Sequence, residues 1–337
     1  MSPVFGGQVL IPVNEVTEVS IQALIRAGAS AENAKVQIRL WVEAELRGHP
    51  SHGLLRLPRI IERITNGVAD PVTTGRSAWR GDAFLAVDGE RGLGPVVAEK
   101  ALTEISQKAK KTGVALAAIN NSNHLGMLAI YAEDVARKGQ VLIALTTSEA
   151  LVHPWGGRKA LLGTNPVAIG VPAEPHPFVL DMATGVVSMG KVHDYANRGK
   201  ALEPGWALDG QGDPTLDASA AKNGAIAPFG QAKGYALGLA FEVLVASLTG
   251  TSMGTDIRGT LDSTQVCNKG DVFIVVEPAA QPGAVSAYLD LVRACEPSDP
   301  ARPVLVPGDR AQRIRHASGI AGIKVDPDVW SRIQSLA

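Results

Sequence analysis

The feature that most constrains this chain is a change of periodicity near residue 75. Before it, apolar residues recur at helical spacing; after it, short apolar runs alternate with helical stretches and turns. Residues 17–27 read as a helix stopped at Gly28. Ser30 is placed to cap a second helix running to about Arg47, whose Val36, Leu40 and Ala44 fall four apart with Trp41 beside them. Gly48 ends that helix, and a third starts at about Pro58 and stops near Asn66 and Gly67. Further on, 84–87, 114–119, 140–147, 165–171, 177–181 and 272–276 read as strands, and 96–108, 230–248 and 326–336 as helices. The pattern predicts an α/β (α+β) chain. A small helical module over 1–75 is joined by the C-terminal segment 300–337, and a larger α/β domain spans 76–299.

With 337 residues, a large core can be buried. Aromatics are 4% against 36 glycines and 21 prolines, so that core consists mainly of Ala, Val, Leu and Ile between many turns. A net charge of −1 argues against a nucleic-acid binder. Cys267 and Cys295 fit neither a disulfide framework nor zinc spacing and read as buried or half-buried free thiols; no metal is expected. Residues 1–16 carry no Lys or Arg, hence no secretory signal. The most apolar stretch, 236–248, is interrupted by Glu242 and is too short for a bilayer. A cytoplasmic protein without a membrane partner is expected.

Gly92-Leu93-Gly94 is the nearest approach to a glycine-rich dinucleotide loop. The third small residue is misplaced, Pro95 sits in the turn, and no acidic residue follows at about 20 positions. It reads as a turn feeding a helix that Pro95 starts, so any dinucleotide is bound without the doubly wound fold.

Chemistry concentrates in two turns. Ser51-His52-Gly53 is followed by Arg56; a helix starting at Ser51 would put Arg56 about one turn beyond His52. Arginine clamps a carboxylate with two parallel hydrogen bonds, and histidine exchanges protons near neutral pH. Residue chemistry alone leaves a capping serine and a surface histidine equally open. His124, in Asn120-Asn121-Ser122-Asn123-His124-Leu125-Gly126, follows an apolar run, where a ligand contact and a helix cap are both possible. Small-residue turns at 162–166 and 181–185 let backbone approach a ligand, and Lys233 offers an anion partner.

In this order, ELRGHPSHGLLRL, NNSNHLG, GGRKALLGTNPVAIGVP, DMATGVVSMGK, PFGQAKGYALGL and VPGDR resemble the malate/L-lactate dehydrogenase family. The resemblance covers nearly the whole chain. It implies a non-Rossmann mixed-sheet domain binding NAD or NADP, a homodimer, and hydride transfer between nicotinamide and C2 of a small 2-oxo or 2-hydroxy acid. It further implies that His52 with Ser51, or His124, exchanges the proton, and that Arg56, Thr164 and Lys191 contact the substrate. Cofactor contacts are implied for His124, Leu125, Gly126, Ser148, Asp181, Met182, Ala183, Thr184, Lys233, Gly234, Pro307, Gly308, Asp309 and Arg310. Three departures stand out: Pro50 where many members have Asp, Gly185 where many have Ser, and Lys191 where cyclic-imine reductases carry an acid. The last tilts the reading away from its alternative, an NADPH-dependent piperideine- or pyrroline-2-carboxylate reductase. A second alternative is a non-catalytic nucleotide-binding relative.

Overall fold

Residue 75 lies between the third helix and the first strand of the main sheet. The structure, a computed structural model, describes residues 4–5 and 8–337. Strands β1 (Val4–Phe5) and β2 (Gln8–Ile11) lead into helices α1 (Val13–Arg26), α2 (Ala31–Leu46) and α3 (Leu57–Thr65). Ser30 Oγ accepts the Asn33 N–H and caps α2, and Gly28 turns at φ +104° after α1.

Next come β3 (Arg76–Arg80), β4 (Phe84–Gly92), α4 (Gly94–Thr112), β5 (Val114–Ser122), α5 (Leu128–Arg137), β6 (Val141–Thr146), β7 (Val167–Val171) and β8 (Phe178–Met182). They are followed by α6 (Met189–Asn197), β9 (Ala207–Leu208), β10 (Pro214–Thr215), α7 (Ala218–Ala221), β11 (Ala225–Ile226), α8 (Ala232–Thr249) and β12 (Asp271–Val276). The chain closes with α9 (Pro282–Arg293), α10 (Asp309–Ala321), β13 (Ile323–Val325) and α11 (Pro327–Leu336).

The main sheet runs β3-β4-β5-β12-β6-β7-β8. Only β4 and β5 are parallel, joined through α4; every other pairing is antiparallel, so the sheet is mixed. Side chains alternate on the central strand β12: Phe273 and Val275 join the core under α4 and α5, while Val272 meets Val245 of α8 on the other face. Three layers result, and the ends of β5, β6, β7 and β8 feed the site.

Two excursions beyond that sheet edge, 148–164 and 185–228, share a small core of Val152, Leu162, Val187, Val192, Leu202 and Ile226. Of the tail, β13 pairs with β2, and Trp330 and Ile333 of α11 enter the cluster holding Val16, Leu24 and Ile38. The basic stretch after Pro307 is helix α10. Its Arg315 donates to Glu43 of α2 at 2.7 Å and its Gln312 to Glu133 of α5 at 3.0 Å, so α10 straddles both units.

The sequence reading missed β3, α6, α9, α10 and the short strands, whose apolar periods are brief or broken. Cys267 is buried as expected, but Cys295 is exposed. Helix α8, at 18 residues, is long and apolar enough to cross a membrane by length and composition alone, which corrects the expectation from 236–248. Its one carboxylate, Glu242, is buried and bonded to Gly163, Asn165 and Gly254 of this chain.

Candidate active site

After α2, Gly48 turns at φ +76°. Two 3₁₀ turns follow, Pro50–His52 and Leu54–Arg56, and α3 begins only at Leu57. No continuous helix starts at Ser51; Pro50 and the bonds from His52 N–H to His49 O and Gly53 N–H to Pro50 O impose the tighter turn. Gly53 leaves room for the Glu45 side chain: a Cβ there would lie 2.3 Å from Glu45 Oε1 and displace it. That oxygen accepts the Leu54 N–H at 2.8 Å, and burial pushes the Glu45 carboxyl up to about 7.

Ser51 Oγ lies 3.0 Å from His52 Nδ1. Arg56 donates from Nε to the Ser51 carbonyl at 2.8 Å, and among the described residues it makes no ion pair. Burial, then the neighbouring Arg59, pushes its guanidinium down to about 10. A half-buried cation without a counter-ion, its terminal nitrogens uncommitted, has the chemistry to receive a carboxylate.

His124 lies beyond the end of β5. Its Nδ1 accepts the Gly126 N–H at 2.8 Å, so the ring proton sits on Nε2, free to donate. The His52 and His124 rings stand 5.6 Å apart at 43°. Burial, then Arg56 and His49, holds His52 down at about 3; burial, then Arg56 and His52, holds His124 well below the usual range. Both imidazoles are therefore neutral at pH 7. An anion on Arg56 offsets one cause of each shift and raises both.

Ser148, Thr164 and Thr184 converge where the two excursions leave the sheet. Thr164 N–H donates to Ser148 Oγ at 3.0 Å, and Thr184 donates to the Thr164 carbonyl from N–H (2.8 Å) and Oγ1 (2.9 Å). A Cβ on Gly163 would fall 2.4 Å from the Ser148 carbonyl. Gly234 packs against Phe229 O and Gly238 against Thr184, where no Cβ fits, so α8 sits flush on this neck. The half-buried Ser148 and Thr164 hydroxyls and this bare backbone form a cradle floored by the buried Thr184, suited to ribose and amide groups. Leu125 is buried, with its carbonyl on the Tyr131 hydroxyl.

Other residues implied by resemblance face elsewhere. Asp181 accepts the Ala129 N–H at 2.7 Å at the start of α5, and burial pushes its carboxyl up to about 6. Met182 packs toward Val245 of α8, while Ala183 is exposed. Lys233 is exposed at the start of α8. Pro307 and Gly308 pass along β8, where a Cβ on Gly308 would lie 3.2 Å from Val179 O. Asp309 is paired with Arg293, and exposed Arg310 lies close enough to His49 to depress its pKa. Lys191 is exposed, its Nζ 4.6 Å from the Trp206 ring centre and 5.5 Å from that of Tyr195. Its neighbour Gly190 is nevertheless against Ser51, with 3.6 Å between an added Cβ and Ser51 Cβ. Asp194 is paired with Arg198, four residues on in the same helix. Among the described residues no group of His, Cys, Asp and Glu could hold a metal.

Sequence reasoning missed Glu45, Arg63, Asn123 and Glu242 as supports of the site. Only Glu242 carried a signal, as the lone charge within an apolar helix; the others are recognised by what they touch.

The site thus brings together two neutral imidazoles, an unpaired guanidinium and partly exposed hydroxyls. The family model described as malate/L-lactate dehydrogenase matches residues 11–334. A dehydrogenase structure from Sinorhizobium meliloti superposes with a TM-score of 0.94 at 50% identity, covering 98% of each chain. The L-sulfolactate dehydrogenase of Methanocaldococcus jannaschii is 33% identical over 97% of this chain and 96% of its own. A delta(1)-pyrroline-2-carboxylate reductase of Ancylobacter novellus is 31% identical over 97% of both. The chain belongs to the malate/L-lactate dehydrogenase family.

Proposed function

We propose that this oxidoreductase moves a hydride between NAD(P)H and C2 of a small 2-oxo or 2-hydroxy acid of malate, lactate or sulfolactate type. The observation that carries this is the unpaired Arg56 guanidinium beside two neutral histidines 5.6 Å apart. Bound NAD(P) supplies or takes up the hydride. Arg56 receives the acid's carboxylate, which sets C2 between the two rings. His124 donates from Nε2 to the carbonyl oxygen as charge develops. His52, oriented by Ser51, takes the hydroxyl proton in oxidation and becomes imidazolium; in reduction it must first be protonated, which an anion on Arg56 favours, before it returns that proton to the carbonyl oxygen. The cradle of Ser148, Thr164 and Thr184 fits the nicotinamide side of the cofactor.

The pyrroline-2-carboxylate reductase relative favours a second reading, reduction of a cyclic imine. Lys191 where an acid would stand, and Asp194 engaged by Arg198, weigh against it. Turnover of pyruvate, oxaloacetate, sulfopyruvate and piperideine-2-carboxylate with NADH and NADPH separates the two. On the best substrate, His52→Ala is expected to lose about 10²- to 10⁴-fold in kcat, and His124→Ala a comparable factor. Near wild-type rates for both variants would sink the assignment, and nucleotide binding without turnover of any acid would favour a non-catalytic relative.

The reading extends to a homodimer. Leu237, Leu239, Val243 and Leu244 of α8 expose an apolar face that a second copy could cover, rather than a bilayer. Light scattering on the purified chain tests it. A cytoplasmic location, with its NAD(P) pool, completes the proposal, and cell fractionation checks it.

A further inference from the structure

The segment carrying His124 is gripped from several sides by groups that do not touch the reacting centre. Asn123 is 2% exposed and has every bond made. Its Nδ2 donates to the carbonyls of Arg91 (2.6 Å) and Gly92 (2.9 Å), and its N–H donates to Gly92 O at 3.1 Å. Its Oδ1 accepts Nε of Arg63 at 2.9 Å. The backbone of His124 lies flat on Gly94, where a Cβ would meet the His124 carbonyl oxygen at 2.4 Å and that of Asn123 at 2.5 Å. The glycine pair that failed as a phosphate loop is thus the pad on which His124 rests.

Arg63 is the unexpected member. It is 4% exposed, its Nη1 donates to the Asp262 carbonyl at 2.7 Å, and its Nη2 is buried without a partner among the described residues. Burying a guanidinium this deeply is costly, and an apolar contact would join α3 to the sheet more simply. What an apolar contact could not supply is direction. Arg63 lies near the end of α3, seven residues after Arg56, which stands at that helix's N-cap in the preceding 3₁₀ turn. Helix α3 thus continues directly from the turn that holds Arg56, and its Arg63 grips the His124 segment.

We propose that Arg63 is a positioning residue: through Asn123 it fixes where the His124 ring stands relative to Arg56 and His52. This rests on the reading of His124 as the donor to the reacting carbonyl. Substrate orientation and donor orientation are then coupled through α3 and the turn that leads into it. A misplacement near 1 Å costs on the order of 10²-fold in rate, which is the scale such a link protects.

The test uses full-length Arg63→Ala, Arg63→Lys, Asn123→Ala and the Arg63→Ala/Asn123→Ala double variant. Each is assayed for kcat and KM on the best acid of the panel, for NADH and NADPH binding by fluorescence, and for imidazole ¹⁵N shifts by NMR. Arg63→Ala is expected to lower kcat by about 10- to 100-fold, with cofactor affinity held within about threefold. Arg63→Lys recovers part of the loss. The double variant is no worse than the worse single variant, because both break one link. In the spectra, the single Nε2–H tautomer of His124 gives way to a mixture. Additive losses, wild-type kcat in Arg63→Ala, or an unchanged His124 tautomer would each overturn the proposal. Should Arg63→Ala not fold, Arg63→Lys and Asn123→Ala carry the same expectations. Near wild-type turnover in His124→Ala would instead remove the role of His124, while the tautomer still reports whether Arg63 positions it.

Discussion

His52 and His124 stand 5.6 Å apart, yet the chain delivers them by unlike means. His52 sits in a short local device. Within seven residues, Pro50 tightens the turn, Ser51 meets the ring at 3.0 Å and Arg56 holds the Ser51 carbonyl. His124 depends on distant partners: Arg63 from α3, the Gly92 carbonyl from β4 and Gly94 from α4. A local device can be altered residue by residue with its fold intact. A site assembled from afar responds to changes that never touch it.

The largest effect expected from breaking the local device is at Arg56. Arg56→Gln removes the carboxylate receptor, and kcat/KM for the acid should fall about 10³-fold, mostly through KM, with cofactor binding retained. A loss below tenfold would show that the carboxylate is read elsewhere. Ser51→Ala should act more gently. Removing the Oγ contact frees the His52 ring and lowers kcat by about tenfold, moving the histidine limb of the pH–rate profile and leaving KM nearly constant. An unmoved limb would mean that Ser51 only shapes the turn.

The smallest effect is at Glu45, which supports the turn from beneath. Its folded carboxyl titrates at about 7 against an ordinary 4.5. The stability tied to its protonated form is thus complete below pH 4.5 and is lost as pH rises to about 7. Glu45→Gln keeps an acceptor for the Leu54 N–H without the charge. Thermal melts should show a Tm a few degrees higher at pH 8 and unchanged at pH 4.5. Equal shifts at both pH values would point to packing instead of ionisation.

Much of this was legible in the chain itself. Ser30, Gly28 and Gly48 bound the first helices because capping and positive φ are properties of single residues. The main-sheet strands from β5 to β8 show as apolar runs because their side chains enter cores on both faces of the sheet. Ser51, His52 and Arg56 could be grouped because the turn that gathers them is six residues long. Helix α10 escaped because its apolar positions are few and its partners, Glu43 and Glu133, lie far away in the chain. The mid-sheet place of β12 could not be read from strand periodicity, which is blind to neighbours.

By itself, the sequence determined the first three helices and most of the main-sheet strands, the turn around His52 and, through the order of its motifs, the family. Tertiary structure alone decided that β12 inserts between β5 and β6, that His124 comes to face His52, and that Gly94 is the pad beneath the His124 backbone. It also turned Lys191 toward Trp206 and engaged Asp181 and Asp309 within the chain. The physical reason is range. Caps, turns and apolar periods act within a few residues, whereas the bonds that place His124 and bury Arg63 join parts of the chain separated by as many as 199 residues.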